Sequence, residues 1–405
     1  MIPRHRPPFG VRALVATALE APRHLDIEGL EAGFAAASEM EHAVLLPSAR
    51  AGIYWSLEAV GVDRAKVVGP AFTCPVVHEA MARSQGVTHL VDCADDALLM
   101  DPAALDRIGI EGAVLVLCEL FGHAYDLDAG GLGGGRPRLR IIDMAMTVPL
   151  PRVVGRITND DIAIFSFGPG KCLDAGAGGI AFTGDGALAD EVRARRDSFM
   201  TTAGIARSLM RNGALFLRTV AHDERVNGPA RRARQAWLAA VSPLQAGNDP
   251  RAGWAGLEPR SGPWRFAPTG LQARLARRNL EQAECSSNQR VGLAETYREE
   301  LQDLRTVRLP PVADAPLSHF TVRVEANHRD RVREILRCSG VDTGRLYGFP
   351  PWLSPGDYPR AFTASSEVIN LPLDPTLTLE RGRGVAMALR SAMADVEREA
   401  PAHER

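Results

Sequence analysis

The chain has 405 residues, roughly two to three times a common domain length of about 150, so it can bury more than one core. An apolar fraction of 45% with 24% charged residues excludes a disordered chain, and no apolar run approaches the length of a bilayer span. A formal net charge of −2 excludes a global basic field for nucleic acid or an anionic membrane surface.

In chain order, Met1 to Gly10 carries prolines and basic residues rather than an apolar signal core. Ala43–Leu46 reads as a short strand, followed by Pro47-Ser48 and a helix over Ala49–Val60. Lys66–Gly69 repeats the strand signal, and a helix follows from about Pro75 to Ser84. Val87–Val91, Ala113–Leu117, Leu139–Ile142, Ile162–Phe167 and Gly179–Thr183 continue the strands. Short continuous apolar strands interleaved with helices predict an α/β domain with a mostly parallel sheet between helices. Such sheets bind ligands at the carboxyl ends of their strands. Residues 186–260 are rich in Arg, Gly and Ala and give no readable pattern. Leu271–Leu301 predicts one long amphipathic helix, with Leu271, Leu275, Leu293, Tyr297 and Leu301 as apolar markers. Phe320–Val324 follows as a strand, Arg329–Cys338 as a helix, Pro350-Pro351 as a loop and Val385–Val396 as a last helix. The expected division is a large domain over 1–255 and a smaller C-terminal α/β domain over 256–405.

The six cysteines, Cys74, Cys93, Cys118, Cys172, Cys285 and Cys338, form no C-x-x-C pair. Scattered singly, they predict mostly buried free thiols and a cytoplasmic location. His78-Glu79 lacks a second histidine at position 82, which is Ala82, so no metal site is expected there. Gly130–Gly135 reads as a glycine-rich loop, and Arg231-Arg232-Arg234 as a solvated helix face.

Of the 47 basic residues only Lys66 and Lys171 are lysines; the other 45 are arginines. A guanidinium stays protonated, whereas a lysine amine can lose its proton and attack a carbonyl. Lys66 follows Asp63-Arg64 at a turn and is expected in a solvated role. Lys171 closes Ile164-Phe165-Ser166-Phe167-Gly168-Pro169-Gly170-Lys171, a Gly/Pro loop just past a buried strand. A phosphate-binding P-loop fails here twice, because Phe165 stands where its first glycine belongs and Cys172 where its hydroxyl belongs. Asp143 ends another apolar strand, Ile141-Ile142-Asp143. A strand-end lysine and a strand-end carboxylate are what pyridoxal 5'-phosphate (PLP) needs, one for covalent attachment and one for its ring nitrogen. Ser166 and the helix start near Ser48-Ala49-Arg50-Ala51 would supply phosphate donors. The plainer alternatives are a surface charge for Lys171, a helix cap for Asp143 and a local hydrogen bond for Ser166.

These residues resemble the DegT/StrS family of PLP-dependent sugar aminotransferases, a branch of the aspartate-aminotransferase fold (fold type I). The resemblance runs from about Leu25 to Leu389 and rests on an ordered series of motifs. These are Ser48–Gly52, Pro70-Ala71-Phe72-Thr73, Leu120-Phe121-Gly122-His123, Asp143, Ser166-Phe167 to Lys171 and Gly178-Gly179. Gly340 to Tyr347 and Asn370-Leu371-Pro372-Leu373-Asp374-Pro375 continue it.

The resemblance implies a transaminase in which Lys171 holds PLP and moves protons. Asp143 would bond the pyridinium nitrogen, and Ser166 with the amides of Arg50 and Ala51 would hold the phosphate. The donor would be glutamate or glutamine, the acceptor a nucleotide-linked keto-sugar or related cyclic ketone. The assembly would be a homodimer with interface active sites. Cys74 stands where the family places an aromatic residue over the ring, and Met146 where it places a glutamine. Ala49-Arg50-Ala51 replaces a G-T-A phosphate loop. Pro263 replaces an asparagine two residues before Arg265, and Leu346 a histidine before Tyr347. His123, Tyr347 and Arg265 are the expected substrate contacts, with structural roles as the plainer reading. Two other readings stay open: a PLP-dependent dehydratase, lyase or condensing enzyme, and a non-catalytic relative.

Overall fold

The computed structural model describes residues 1–20, 25–96, 98–127, 132, 134–229, 262–313 and 316–399. The cluster Arg231-Arg232-Arg234 and part of Gly130–Gly135 lie outside them.

Seven strands form one sheet in the order β1-β7-β6-β5-β4-β2-β3. They are β1 His42–Leu46, β2 Lys66–Pro70, β3 Val87–Val91, β4 Val114–Cys118, β5 Leu139–Asp143, β6 Asp161–Ser166 and β7 Gly179–Thr183. β2 to β6 pair in parallel, while β7 runs antiparallel to both β6 and β1. All seven predicted strands are present within one or two residues.

Alternate side chains of each strand go to opposite faces. Leu45, Leu115, Leu117 and Ile142 enter one buried cluster, and Val44, Leu46, Val114, Val116 and Ile141 enter another. Burial on both faces explains why these strands read as unbroken apolar runs rather than alternating ones. The first face is covered by α1 (Val11–Glu20) and α2 (Ile27–Ser38); the second by α3 (Ala49–Ala59), α4 (Pro75–Arg83) and α7 (Gly186–Phe199). α5 (Pro102–Ile108) and the single turn α6 (Pro151–Val154) lie in connections between strands.

Beyond α8 (Ile205–Ala221) and α9 (Gly262–Arg265), the predicted long helix is two, α10 (Gly270–Glu281) and α11 (Ala283–Leu301). α10 opens with a capping box, Thr269 with Gln272. Leu271, Leu275 and Leu280 of α10 pack into the large-domain core. A separate core begins at Leu293 and Tyr297 of α11, so the packing changes hands later than the expected division at 255/256. This second core includes the two-stranded sheet β8 (Phe320–Arg323) and β9 (Val368–Leu371), with α12 (Ala326–Cys338) and α14 (Leu379–Glu399). α13 (Pro359–Glu367) buries Ala361 and Ala364 in a large-domain cluster that also takes Val368 of β9, while Ile369 and Leu371 of β9 belong to the small one.

Candidate active site

Parallel pairing brings the carboxyl ends of β4, β5 and β6 to one edge. Cys118 is level with Asp143, and Asp143 with Ile164. Past β6 the chain turns through Gly168-Pro169-Gly170 to Lys171, returning at β7, where Ser166 faces Gly179. Ser48 bridges to Gly178, setting the start of α3 beside this loop. A Cβ at Gly179 would lie 2.7 Å from the Phe165 carbonyl oxygen and 2.9 Å from the Ala49 nitrogen, so only glycine permits this approach.

The result is a cavity of about 520 Å³, within the range of roughly 300–1,000 Å³ usual for small-molecule sites. Lys171, Asp143, Ser166, Arg50 and Cys74 all line it, with Ser48, Ala49 and Gly176 to Gly178. Residues about a hundred positions apart in sequence thus meet.

The Asp143 carboxylate accepts a hydrogen bond from the Ala145 amide at 3.0 Å. Burial raises its pKa above the usual carboxylate range, and the Lys171 charge pulls it partly back. Ser166 Oγ accepts from the Gly168 amide at 3.1 Å, which leaves its hydroxyl proton free to donate. At the start of α3 the Ser48 hydroxyl accepts from the Ala51 amide at 3.3 Å. The amides left without intrahelical partners are therefore those of Ala49 and Arg50, one residue earlier than expected. The Arg50 guanidinium turns away, 3.4 Å from Glu79.

Cys74 occupies the cap position before Pro75 without capping α4 through its side chain. Met146 and Tyr347 do not line the cavity. Both are buried, with the Tyr347 hydroxyl 3.6 Å from Met146 Sδ, and Tyr347 stacks on Phe121 at 6.4 Å between ring centroids. Burial, then the neighbouring Cys74, pushes the Tyr347 phenol well above its ordinary pKa.

His123 lies elsewhere, lining a second cleft of about 310 Å³ with Asp95, Asp96, Arg308 and Arg323. Gly122 is needed at that corner: its φ is +105°, and a Cβ would sit 2.8 Å from the Pro316 carbonyl oxygen. Arg265 is exposed and outside the cavity; its carbonyl accepts from the Thr201 amide, while the next residue, Phe266, lines the site. Thus the structure brings Lys171, Asp143, Ser166, Arg50 and Cys74 to one cavity, while Ala51, Met146 and all three expected substrate contacts, His123, Tyr347 and Arg265, stand outside its lining.

Arg207, Met210 and Arg211 of α8 also line the cavity, together with Phe266. Arg207, Met210 and Arg211 fall in the stretch 186–260 that gives no readable pattern, and Phe266 lies just beyond it with no local signal of its own. The signal available was Arg207, Arg211 and Arg218 at helical spacing beside the buried Leu215 and Thr219.

One amine, one buried carboxylate, a free hydroxyl and two open helix-start amides fit PLP's aldehyde, ring nitrogen and phosphate respectively.

The model of the DegT/DnrJ/EryC1/StrS aminotransferase family matches residues 25–214 and 268–390. The erythromycin biosynthesis sensory transduction protein EryC1 of Saccharopolyspora erythraea is 28% identical over 381 residues, covering 90% of this chain and 89% of its own. The dTDP-3-amino-3,4,6-trideoxy-alpha-D-glucose transaminase of Streptomyces venezuelae is 27% identical, covering 93% of this chain and 90% of its own. Among solved structures, S. venezuelae DesV superposes with a TM-score of 0.65 at 24% identity, over 94% of this chain and 93% of its own. The aminotransferase TlmJ of Streptoalloteichus hindustanus gives 0.69 at 18% identity, over 98% and 99%. At these identities the structural likeness is one of fold.

Proposed function

The chain belongs to the DegT/DnrJ/EryC1/StrS aminotransferase family, and from that premise we propose that it aminates a nucleotide-linked keto-sugar or related cyclic ketone. The amino group comes from an amino-acid donor, glutamate or glutamine, and the cofactor is PLP. The observation that carries this reading is Lys171 and Asp143 facing one cavity at the ends of β6 and β5. The S. venezuelae relative, by its name a transaminase of a dTDP-linked sugar, supports a sugar acceptor.

When bound, the cofactor supplies an electron sink for charge developing on the donor's α-carbon. Lys171 Nζ anchors it covalently. The same Nζ would act as the base that takes a proton from the donor's α-carbon and as the acid that gives one to the acceptor carbon. Asp143 accepts a hydrogen bond from the ring nitrogen and holds its proton there. Ser166 and the Ala49 and Arg50 amides bind the phosphate, with Ser48 fixing the Ala51 amide behind them. Cys74 would form part of the wall beside the cofactor, with the buried Met146 and Tyr347 outside the lining. His123 and Arg265 lie outside the cavity, so substrate contact falls to its lining.

A homodimer in the cytoplasm is part of this reading. In its support, Ile205, Leu209, Met210 and Leu217 of α8 are 83%, 67%, 68% and 69% exposed, apolar surface that a second copy would cover. All six cysteines are unpaired, and among the described residues no helix is long and apolar enough to cross a membrane. Light scattering on the eluting protein tests the dimer.

Titrating the PLP-loaded protein with L-glutamate, then L-glutamine, tests the activity. The visible band of the protein-bound cofactor is expected to bleach and to return with a keto acid. A spectrum that neither donor changes would sink the aminotransferase reading.

A further inference from the structure

Arg207, Arg211 and Arg218 share one face of α8, at spacings of four and seven residues. Arg218 finds a counter-ion, with Nη2 and Nη1 2.6 and 2.9 Å from the two Asp174 oxygens. The other two find none among the described residues. Arg207 lies over the Phe266 ring at 3.9 Å, and Arg211 Nη1 donates to the Ala267 carbonyl at 2.7 Å; neither pairs with a carboxylate among the described residues.

Like charges four apart on a helix repel. Arg207 also sits in the first turn of α8, where the helix dipole is positive and no acidic residue offsets it. Burial lowers the pKa of Arg211, and Arg207 adds to the effect. The cavity lining as a whole carries Arg50, Lys171, Arg207 and Arg211 against a single carboxylate, Asp143. Arg50 is paired with Glu79, and Asp143 is assigned to the ring nitrogen, which leaves the positive charge of α8 uncompensated among the described residues of the lining.

We propose that Arg207 and Arg211 form an anion subsite on the α8 wall of the cavity that binds a phosphate group carried in by a ligand. The Arg207 guanidinium and the N–H groups of Arg211 other than the one held by the Ala267 carbonyl match phosphate oxygens. Under the function proposed above, on which the ligand's identity rests, two ligands bring phosphate here: the cofactor and the nucleotide-linked acceptor.

The test is calorimetric titration of PLP-loaded protein with inorganic pyrophosphate, and spectral titration of the apoprotein with PLP. Wild type is compared with R207Q/R211Q, with the charge-retaining R207K/R211K, and with R195Q on the outer face of α7 as a control. The double glutamine variant is expected to lose about tenfold or more in one affinity, with partial rescue by lysine and no change in R195Q. A loss in pyrophosphate affinity assigns the subsite to the acceptor's phosphates; a loss in PLP affinity alone assigns it to the cofactor's. Unchanged affinities in both titrations overturn the proposal. So does a loss that R195Q reproduces. The wild-type cofactor band and its response to glutamate decide the aminotransferase reading independently of these affinities.

Discussion

The two lysines of an arginine-rich chain do different work. Lys66 is not the solvated charge expected at a turn: its Nζ donates to the carbonyls of Ile108 and Gly109 at 2.6 and 2.8 Å, closing the end of α5. A compact ammonium with rotatable donors suits two converging carbonyls. Lys171 makes no such bond among the described residues and faces the cavity with Asp143. Lys171→Ala is therefore expected to abolish borohydride-trappable attachment of PLP and turnover while leaving the thermal transition near that of wild type. Asp143→Asn should retain PLP and lower kcat by about a hundredfold or more, because the ring proton loses its charged acceptor. An unchanged rate would make Asp143 a structural residue. His123 carries a separate prediction. Burial lowers its pKa from 6.5 to about 4, so between these values the unfolded chain binds a proton that the folded one does not. Its contribution is intact at pH 7 and lost as pH falls below 6.5. Urea titrations at pH 7 and pH 5 should show a stability drop smaller by about 2 kcal/mol in His123→Gln than in wild type.

At the scale of elements, the strands were legible and several helices were not. Val, Ile and Leu runs buried on both faces announce themselves. By contrast, α1 and α8 leave apolar residues such as Leu19 and Ile205 at the surface, which blurs the helical period. The predicted helix over 271–301 breaks at Gln282 because its two halves serve different cores, with Leu280 in one and Leu293 in the other. The union of β7 with the start of α3 is the element contact that shapes the phosphate end of the cavity. Gly179→Ala should force these apart, costing about 1–3 kcal/mol and weakening PLP affinity, measured by unfolding and by spectral titration. Normal stability with normal PLP affinity would show that the approach has slack. Ser48→Ala provides the milder comparison, about 1 kcal/mol for a lost cap.

Across the whole molecule, the two cores are joined by the buried Ala361 and Ala364 of α13 and by polar contacts. Asp92, at the end of β3, accepts the Arg360 and Ala361 amides at 3.0 and 2.8 Å and so caps α13 from the large domain. α13 leads into β9 of the small domain, whose other neighbours include the first residues of the chain: Ile2 bridges Val341, and the Arg6 amide donates to Asp374 at 2.8 Å. Asp92→Ala is expected to cost about 1–2 kcal/mol and to broaden or split the unfolding transition as the small domain loosens. A single sharp transition at the wild-type midpoint would place the coupling elsewhere. The exposed apolar residues of α8 belong to this scale too, since in the proposed dimer a second copy would cover them.

By itself the sequence determined the strand series, the α/β class, the rarity of lysine and the placing of Lys171, Asp143 and Ser166 at or just past strand ends. Each depends on local composition and on short-range order along the chain. What only the tertiary structure decided is which distant groups share a cavity. Parallel pairing set Asp143 and the Lys171 loop on one edge, while the Gly122 corner carried His123 into another cleft. It also turned an unreadable arginine-rich stretch into a helix whose Arg207 and Arg211 face the site. Charge and polarity are written residue by residue, but counter-ions, caps and cavity walls come from long-range packing, which no single segment encodes.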